Sequence, residues 1–536
     1  MQTGGIQGLE LVFLLLLLFV VAFGSLARKL QLPYPIVLVL AGTLLGFVPG
    51  LPRFTLRPDV VFYIILPPLL YSAAWLTSWR EFHYHLVSIM FLAFGLVAFT
   101  VLGVATGAHW LFAGFDWKTG FVLGAVVAPT DALAATSIAR RIGLPKQIVD
   151  ILEGESLVND ATGLLALEFG IAMVVRDQTP SLSDGLFRLA YLTVAGIVIG
   201  LIVGWIVDRI ERRIDDGPIE IAISILVPYA TYLGADTLRA SGVLAVVTCG
   251  LYLSRRSSEF FSPGVRLQAW GVWEALTFIL NGLVFVMIGL QLPFVLAGIH
   301  GYSHRTLIWY GALFSFMVIA LRLIWLFPGA FLANRIRTRL LHQNEKMPSA
   351  RSILVLGWAG MRGVIALAAA IALPQTLANG QLFAQRNLIV FLAFCVIFVT
   401  LVLQGLTLPL LVRILGLAVA EGPNVEEESA RQEIIQAGLD YLRESRQQDG
   451  SEFDALYDDL AEHYQQRLNA ITGKDAAACG LGPKHHKRLA HVARELLRME
   501  RQTAVRLRNQ GRINDETLRQ LEHELDLREA GSPHVA

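Results

Sequence analysis

The stretch Leu152-Glu153-Gly154-Glu155-Ser156-Leu157-Val158-Asn159-Asp160-Ala161-Thr162-Gly163 runs directly into the apolar segment 164–175. Together, residues from about 148 to 175 are long enough to cross a bilayer as a helix, for which roughly 20 apolar residues suffice. Asp160 then lies near the membrane midplane. Helical spacing puts Ser156 and Asp160 on one face, with Glu155 and Asn159 on the adjacent strip. A carboxylate at that depth costs about 2.5 to 3.5 kcal/mol on insertion scales, so it faces a cavity or a partner, and an ion or proton pathway is its default reading. The blander reading is an aspartate held by hydrogen bonds between helices. A second embedded aspartate one segment earlier, Asp131, weighs against it.

The remainder of the chain fits a membrane setting. Of 536 residues, 54% are hydrophobic and 16% charged, with mean hydropathy +0.56 and a formal net charge of +1. Such a composition excludes an ordinary soluble domain and fits an all-α polytopic membrane protein in the lipid bilayer, with a soluble appendage. Nothing in it points to nucleic acid. Cys249, Cys395 and Cys479 are far apart, which supports neither a disulfide framework nor a zinc site. Glu10 stands where a signal peptide would carry basic residues, so the first apolar run reads as an uncleaved span.

Apolar runs of adequate length give about 13 candidate spans, centred near residues 17, 41, 67, 98, 129, 161, 198, 228, 248, 281, 319, 362 and 401. An odd count puts the termini on opposite sides. With the N-terminus outside, the inward loops carry the larger share of Lys and Arg, including Arg28, Lys29, Arg140, Arg141, Lys146, Arg209, Arg212, Arg213, Arg255, Arg256, Arg335, Arg337 and Arg339. The C-terminus is then cytoplasmic. The domain boundary falls at a change of composition: 1–420 is the membrane domain, and 421–536 is charged and reads as a soluble, mainly helical tail with narrow leucine faces at Leu496, Leu497, Leu518, Leu521, Leu525 and Leu527. His485, His486 and His491 sit among Lys484, Lys487 and Arg488, a solvated basic patch rather than a metal site. Gly196, Gly200 and Gly204 form a small-residue ridge for which close helix packing is a sufficient reason. No phosphate-binding loop or hydrolase elbow occurs in a credible context.

Two further polar constellations interrupt apolar spans. In Val126-Val127-Ala128-Pro129-Thr130-Asp131-Ala132, Pro129 removes a backbone donor and frees carbonyls about four residues before it. At mid-membrane those carbonyls need a cation, the Thr130 hydroxyl or a water, because lipid cannot serve. Seven spans later, Gly357-Trp358-Ala359-Gly360-Met361-Arg362-Gly363 places three glycines and an arginine in an apolar helix. Breaks at corresponding positions of two halves mark inverted-repeat transporters, in which the broken helices cross at the site. Arg362 offsets the helix dipoles or pairs with an acid, and Arg322 in the preceding span is a rival partner for Glu155. Asp131, Glu155, Asp160, Arg322 and Arg362, unpaired, would cost on the order of 15 kcal/mol to insert at about 3 kcal/mol each. One connected polar centre is the way to cancel most of that.

These residues resemble the bacterial branch of cation:proton antiporter family one, the sodium/proton exchangers. The matching motifs are Leu66-Pro67-Pro68-Leu69-Leu70, Ala128-Pro129-Thr130-Asp131, Gly154 to Asp160 and Gly360-Met361-Arg362-Gly363, and the resemblance covers roughly residues 10 to 415. It implies that Asp160 binds cation and proton alternately, that Ser156, Thr130 and Asp131 help to form the site, and that Glu155 is structural, held by an arginine. Asn159, in place of a second aspartate, implies the electroneutral class, one cation for one proton. Many relatives carry an acid just after Pro-Pro-Leu-Leu, where this chain has Tyr71-Ser72-Ala73.

The expected function is therefore secondary active exchange of Na+, Li+ or K+ for H+ by alternating access, serving pH and sodium homeostasis, in a homodimer of the bacterial inner membrane. No cofactor and no enzymatic activity are expected. Oxygen ligands suit such hard cations. The rivals are a proton-coupled solute symporter, which would present a larger polar pocket, and a membrane sensor of pH or sodium that signals through its tail.

Overall fold

A backbone amide in hydrocarbon has no water to bond, so a spanning segment must satisfy its own hydrogen bonds and becomes a helix. The computed structural model describes residues 6–49, 56–112, 114–175, 181–299, 301–339, 341–342, 347–377, 380–418, 425–449 and 454–472, with scattered positions between 496 and 525. The described residues form helices α1 (Ile6–Lys29), α2 (Tyr34–Gly46), α3 (Leu66–Leu76), α4 (Trp79–Tyr84), α5 (Leu86–Met90), α6 (Val97–Leu111), α7 (Trp117–Val127), α8 (Ala132–Arg141), α9 (Lys146–Val175), α10 (Leu182–Glu211) and α11 (Gly217–Thr237). There follow α12 (Gly242–Phe260), α13 (Pro263–Leu290), α14 (Leu292–Ala297), α15 (His304–Arg339), α16 (Ala350–Trp358), α17 (Val364–Ala372), α18 (Arg386–Val399), α19 (Gly405–Ile414), α20 (Val425–Asp449) and α21 (Asp454–Thr472). Single π turns at Val60–Ile65, Phe91–Leu96 and Thr400–Gln404 join α3, α6 and α19 to the helical turns before them. Short polar side chains start many helices: Asp116, Ser181, Asp216, Ser241, Ser262 and Ser349 each accept a backbone N–H three residues on.

Seven of these helical stretches are long and apolar enough to cross a membrane, and α2, α3 with its π turn, and α7 are shorter apolar helices. The chain is an all-helical polytopic membrane protein. Eleven of the 13 candidate centres fall inside helices; the other two, 129 and 362, fall in breaks, between α7 and α8 and between α16 and α17.

The chain divides into two units, Met1–Ala420 and Glu421–Ala536. Within the first, α1, α2 and α13 pack together, as do α3, α10, α11 and α12, while α6 to α9 and α15 to α19 form another group. The glycine ridge of α10 is a packing surface: a Cβ on Gly196 would meet the Ser241 carbonyl at 2.9 Å and one on Gly204 the Tyr252 ring at 2.9 Å, so the glycines let α12 approach. In the second unit α20 packs on α21, and Arg446 reaches Asp454 and Asp458 at 2.7 Å each. Cys479, the histidine cluster at 485–491, and Leu497, Leu518 and Leu527 lie outside the described residues.

Candidate functional site

The two breaks cross. Residues 128–131 and 360–363 leave the helical pattern, and the Asp131 amide donates to the Met361 carbonyl at 2.8 Å. Arg362 is buried between the ends of α7 and α16, donating from Nε to the Val127 carbonyl at 3.1 Å and from Nη1 to the Gly360 carbonyl at 2.5 Å, while its own amide donates to Thr400 Oγ1 at 3.1 Å. A cation thus sits where two helices present negative C-terminal ends. The carbonyl that takes the arginine is that of Val127, two residues before Pro129, not the one about four residues before it that the sequence singles out. Asp131 stands just before α8, where the positive end of a helix favours a carboxylate.

Close approach fixes the glycines of the second break. A Cβ on Gly363 would fall on the Asp131 carboxylate, and one on Gly360 would strike the Arg322 guanidinium. Gly363→Ala is therefore expected to lower unfolding stability by about 1–3 kcal/mol through overpacking. Gly234→Ala, with nothing within 4 Å of the added methyl, should stay near wild type in the same melting-temperature comparison.

Thr130 ties the break to α9. Its hydroxyl donates to Glu155 Oε1 at 3.0 Å and accepts from Asn159 Nδ2 at 2.5 Å, and its carbonyl accepts from Ser156 Oγ at 2.9 Å. A hydroxyl has one hydrogen and two lone pairs, so at most one lone pair of Thr130 is left for an ion. Glu155 is held by Arg322, not Arg362: Nη1 donates to Oε1 at 2.5 Å and Nη2 to Oε2 at 2.8 Å, with both side chains 1% exposed. Arg322 Nε also donates to the Gly357 carbonyl at 3.1 Å, so one guanidinium joins α9 to the second broken helix.

Asp160 is 4% exposed and lies near enough to Asp131 for their charges to interact. Both line a cavity of about 670 Å³ together with Thr130, Ser156 and Gly363. Arg28 and Glu274, both exposed, also line it. Of the residues singled out in the sequence, Asp131, Thr130, Pro129, Ser156 and Asp160 meet at this cavity, whereas Glu155, Asn159, Arg322 and Arg362 are packed behind it.

The description "sodium/hydrogen exchanger, transmembrane" matches residues 14–414. The chain belongs to that family. It is 35% identical over 538 residues to an uncharacterised Na+/H+ exchanger of Mycobacterium tuberculosis, covering 98% of this chain and 97% of the relative. A sodium, potassium, lithium and rubidium/H+ antiporter of Bacillus pumilus is 31% identical, over 85% of this chain and 69% of its own. In structure the chain is similar to the sodium proton antiporter of Methanocaldococcus jannaschii, with TM-score 0.62 at 19% identity, covering 77% of this chain and 98% of that one; the likeness shows the fold.

Two features of this exchanger escape a reading of the sequence. Asn281, Thr277 and Tyr34, from α13 and α2, line the cavity opposite Asp160, and of these Asn281 is a visible signal, a polar residue amid an apolar run. Thr400 caps the Arg362 amide from a π turn. Ser72 and Ala73, which the sequence does single out, line the cavity, so α3 brings no charge to it.

Proposed function

We propose that the chain exchanges Na+, or Li+ or K+, for H+ by alternating access, one for one, with Asp160 as the group that carries either ion. The observation that carries this reading is the charge of the polar centre. Around the crossing of the breaks its acids are Asp131, Glu155 and Asp160 and its bases Arg322 and Arg362, one negative charge in excess, while Arg28, Glu153 and Glu274 also line the cavity. One monovalent cation or one proton cancels that excess, and both together overshoot it. Buried charge imbalance is expensive, so the two ions exclude each other. Ser156 Oγ and the Asp131 carboxylate lie on the same cavity wall and supply further oxygens for a hard cation. Glu155 and Arg322 fix Thr130, and Asn159 steadies it.

With 13 crossings and the N-terminus outside, the large cavity opens to the cytoplasm, on the side of Arg28, and the state is inward-facing. The membrane domain is 1–420 and the tail, 421–536, is cytoplasmic. The protein works as a homodimer in the bacterial inner membrane and serves pH and sodium homeostasis. The direct test is cation-induced dequenching of a pH dye in proteoliposomes, with Na+, Li+ and K+ in turn; no response to any of them removes the antiport reading.

One-for-one exchange has a second consequence. Moving a net elementary charge across the membrane is worth about 2.3 kcal/mol per 100 mV, so unequal exchange must respond to potential. Na+/H+ exchange is expected to be unchanged when a K+ diffusion potential is imposed with valinomycin. A several-fold change in rate or end-point at about 100 mV would instead mean that Asp131 also takes up and releases a proton.

A further inference from the structure

The cavity that reaches Asp160 has a smaller counterpart on the other half of the same helix. The large cavity touches α9 at Glu153, Ser156, Leu157 and Asp160, while a second, of about 160 Å³, touches it at Ala161, Thr162, Leu165 and Glu168. Asp160 and Ala161 are consecutive, so the two cavities approach one point from opposite ends of α9. The far wall of the small cavity comes from α10, α11 and α12 through Thr193, Asp236 and Leu244. Between the cavities lies an apolar plug: Leu66 and Leu70 of α3, Val158 of α9, and Val243 and Val247 of α12 belong to one buried cluster. A dry apolar constriction is a barrier to an ion.

At the rim of the small cavity Arg188 Nη2 meets Glu168 Oε1 at 3.3 Å. The two partners sit on consecutive helices that pack mainly with different neighbours, α9 on α7 and α8, α10 on α12 and α11, and α12 is the element that meets both. Their ion pair therefore straddles the seam along which the plug has to part. The other acid of the rim, Asp236, accepts from the Tyr63 hydroxyl at 3.3 Å, and both of those residues lie on elements that pack together, so that bond does not cross the seam. Arg188 is 31% exposed and Glu168 55%, so packing does not lock the pair in place. A latch that opens in every cycle needs that freedom.

We propose that the small cavity is the shut half of the cation path and that the Arg188–Glu168 pair is the latch that holds it shut. When α9 and α10 part, Arg188 withdraws and Glu168 is left as a carboxylate facing the incoming hydrated cation. This rests on the antiport reading above, and Glu168 and Arg188 act as positioning residues, since neither touches the ion held at Asp160.

The test ties the latch closed. Glu168→Cys with Arg188→Cys, in a chain whose Cys249, Cys395 and Cys479 are replaced by Ser, is joined with a short cleavable thiol cross-linker and assayed in proteoliposomes. Exchange is expected to fall by about tenfold or more and to return on cleavage, because alternation is blocked. Na+ should still raise the melting temperature of the cross-linked protein, since the large cavity stays open. Exchange by the cross-linked protein within about twofold of the cleaved protein overturns the latch. Loss of exchange in the unmodified parent overturns the antiport reading, and the latch with it.

A single variant checks the same idea without a cross-link. Arg188→Gln leaves Glu168 in place but unlatches it, so the state open to the opposite face becomes more populated and Na+ added on that face should bind up to about fivefold tighter. Na+ on the large-cavity side should bind no tighter. Equal changes on both faces, or none, would mean that the pair does not bias alternation.

Discussion

Asp160→Asn should reduce Na+/H+ exchange to the level of protein-free liposomes while leaving the fold intact. An amide neither ionises nor releases a proton at physiological pH, so it cannot carry the two ions in turn. The substitution also balances the polar centre for good, leaving Asp131 and Glu155 against Arg322 and Arg362. With no excess charge, there is no drive to take up a cation. The side chain keeps its volume, and the repulsion between Asp160 and Asp131 disappears, so the melting temperature without Na+ should equal or exceed that of wild type.

The same variant offers a readout that does not depend on transport. A ligand that binds only the folded state stabilises it by about 2.7 kcal/mol at a hundred times its Kd. Wild type should therefore melt higher as Na+ is added, and Asp160→Asn should not. Asp160→Glu keeps the charge but moves it outward by one methylene, so partial exchange with weaker apparent Na+ affinity is expected. Half or more of wild-type exchange in Asp160→Asn would remove Asp160 as the carrier.

The polar centre was legible in the sequence because its parts violate local rules. Pro129 inside an apolar run marked one break, and the glycines at 357, 360 and 363 marked the other. Apolar length alone located the helices. What stayed hidden depends on tertiary placement. Glu155 and Arg322 are 167 residues apart, and Arg362 lies in an equally apolar setting, so depth could not decide between the arginines. The role of Thr130 depends on the direction of a single hydroxyl, which no spacing encodes. The π turns at 60–65, 91–96 and 400–404 each insert one residue into the helical count, which rotates every later side chain off its expected face.

Glu155→Gln should destabilise the protein strongly. Removing one partner of a buried pair strands the other, at a cost of about 3 to 5 kcal/mol. Arg322 would keep its bonds to the Gly357 and Leu356 carbonyls but lose both charged acceptors. The damage extends to the ion site, because Thr130 donates to the lost oxygen and its carbonyl positions Ser156. Lower folded yield and a lower melting temperature in detergent are expected, with residual exchange in the fraction that folds, since Asp160 is untouched. Arg322→Gln should cost a similar amount by leaving Glu155 buried without a cation. In Glu155→Gln combined with Arg322→Gln no charge is stranded, so the double variant should be more stable than the two single losses added together. Strict additivity, or a melting temperature of Glu155→Gln equal to wild type, would mean that the pair is not what holds the hub. The backbone carbonyls of α16 would then be the principal partners of Arg322, and Thr130 would be fixed by Asn159 and Ser156 alone.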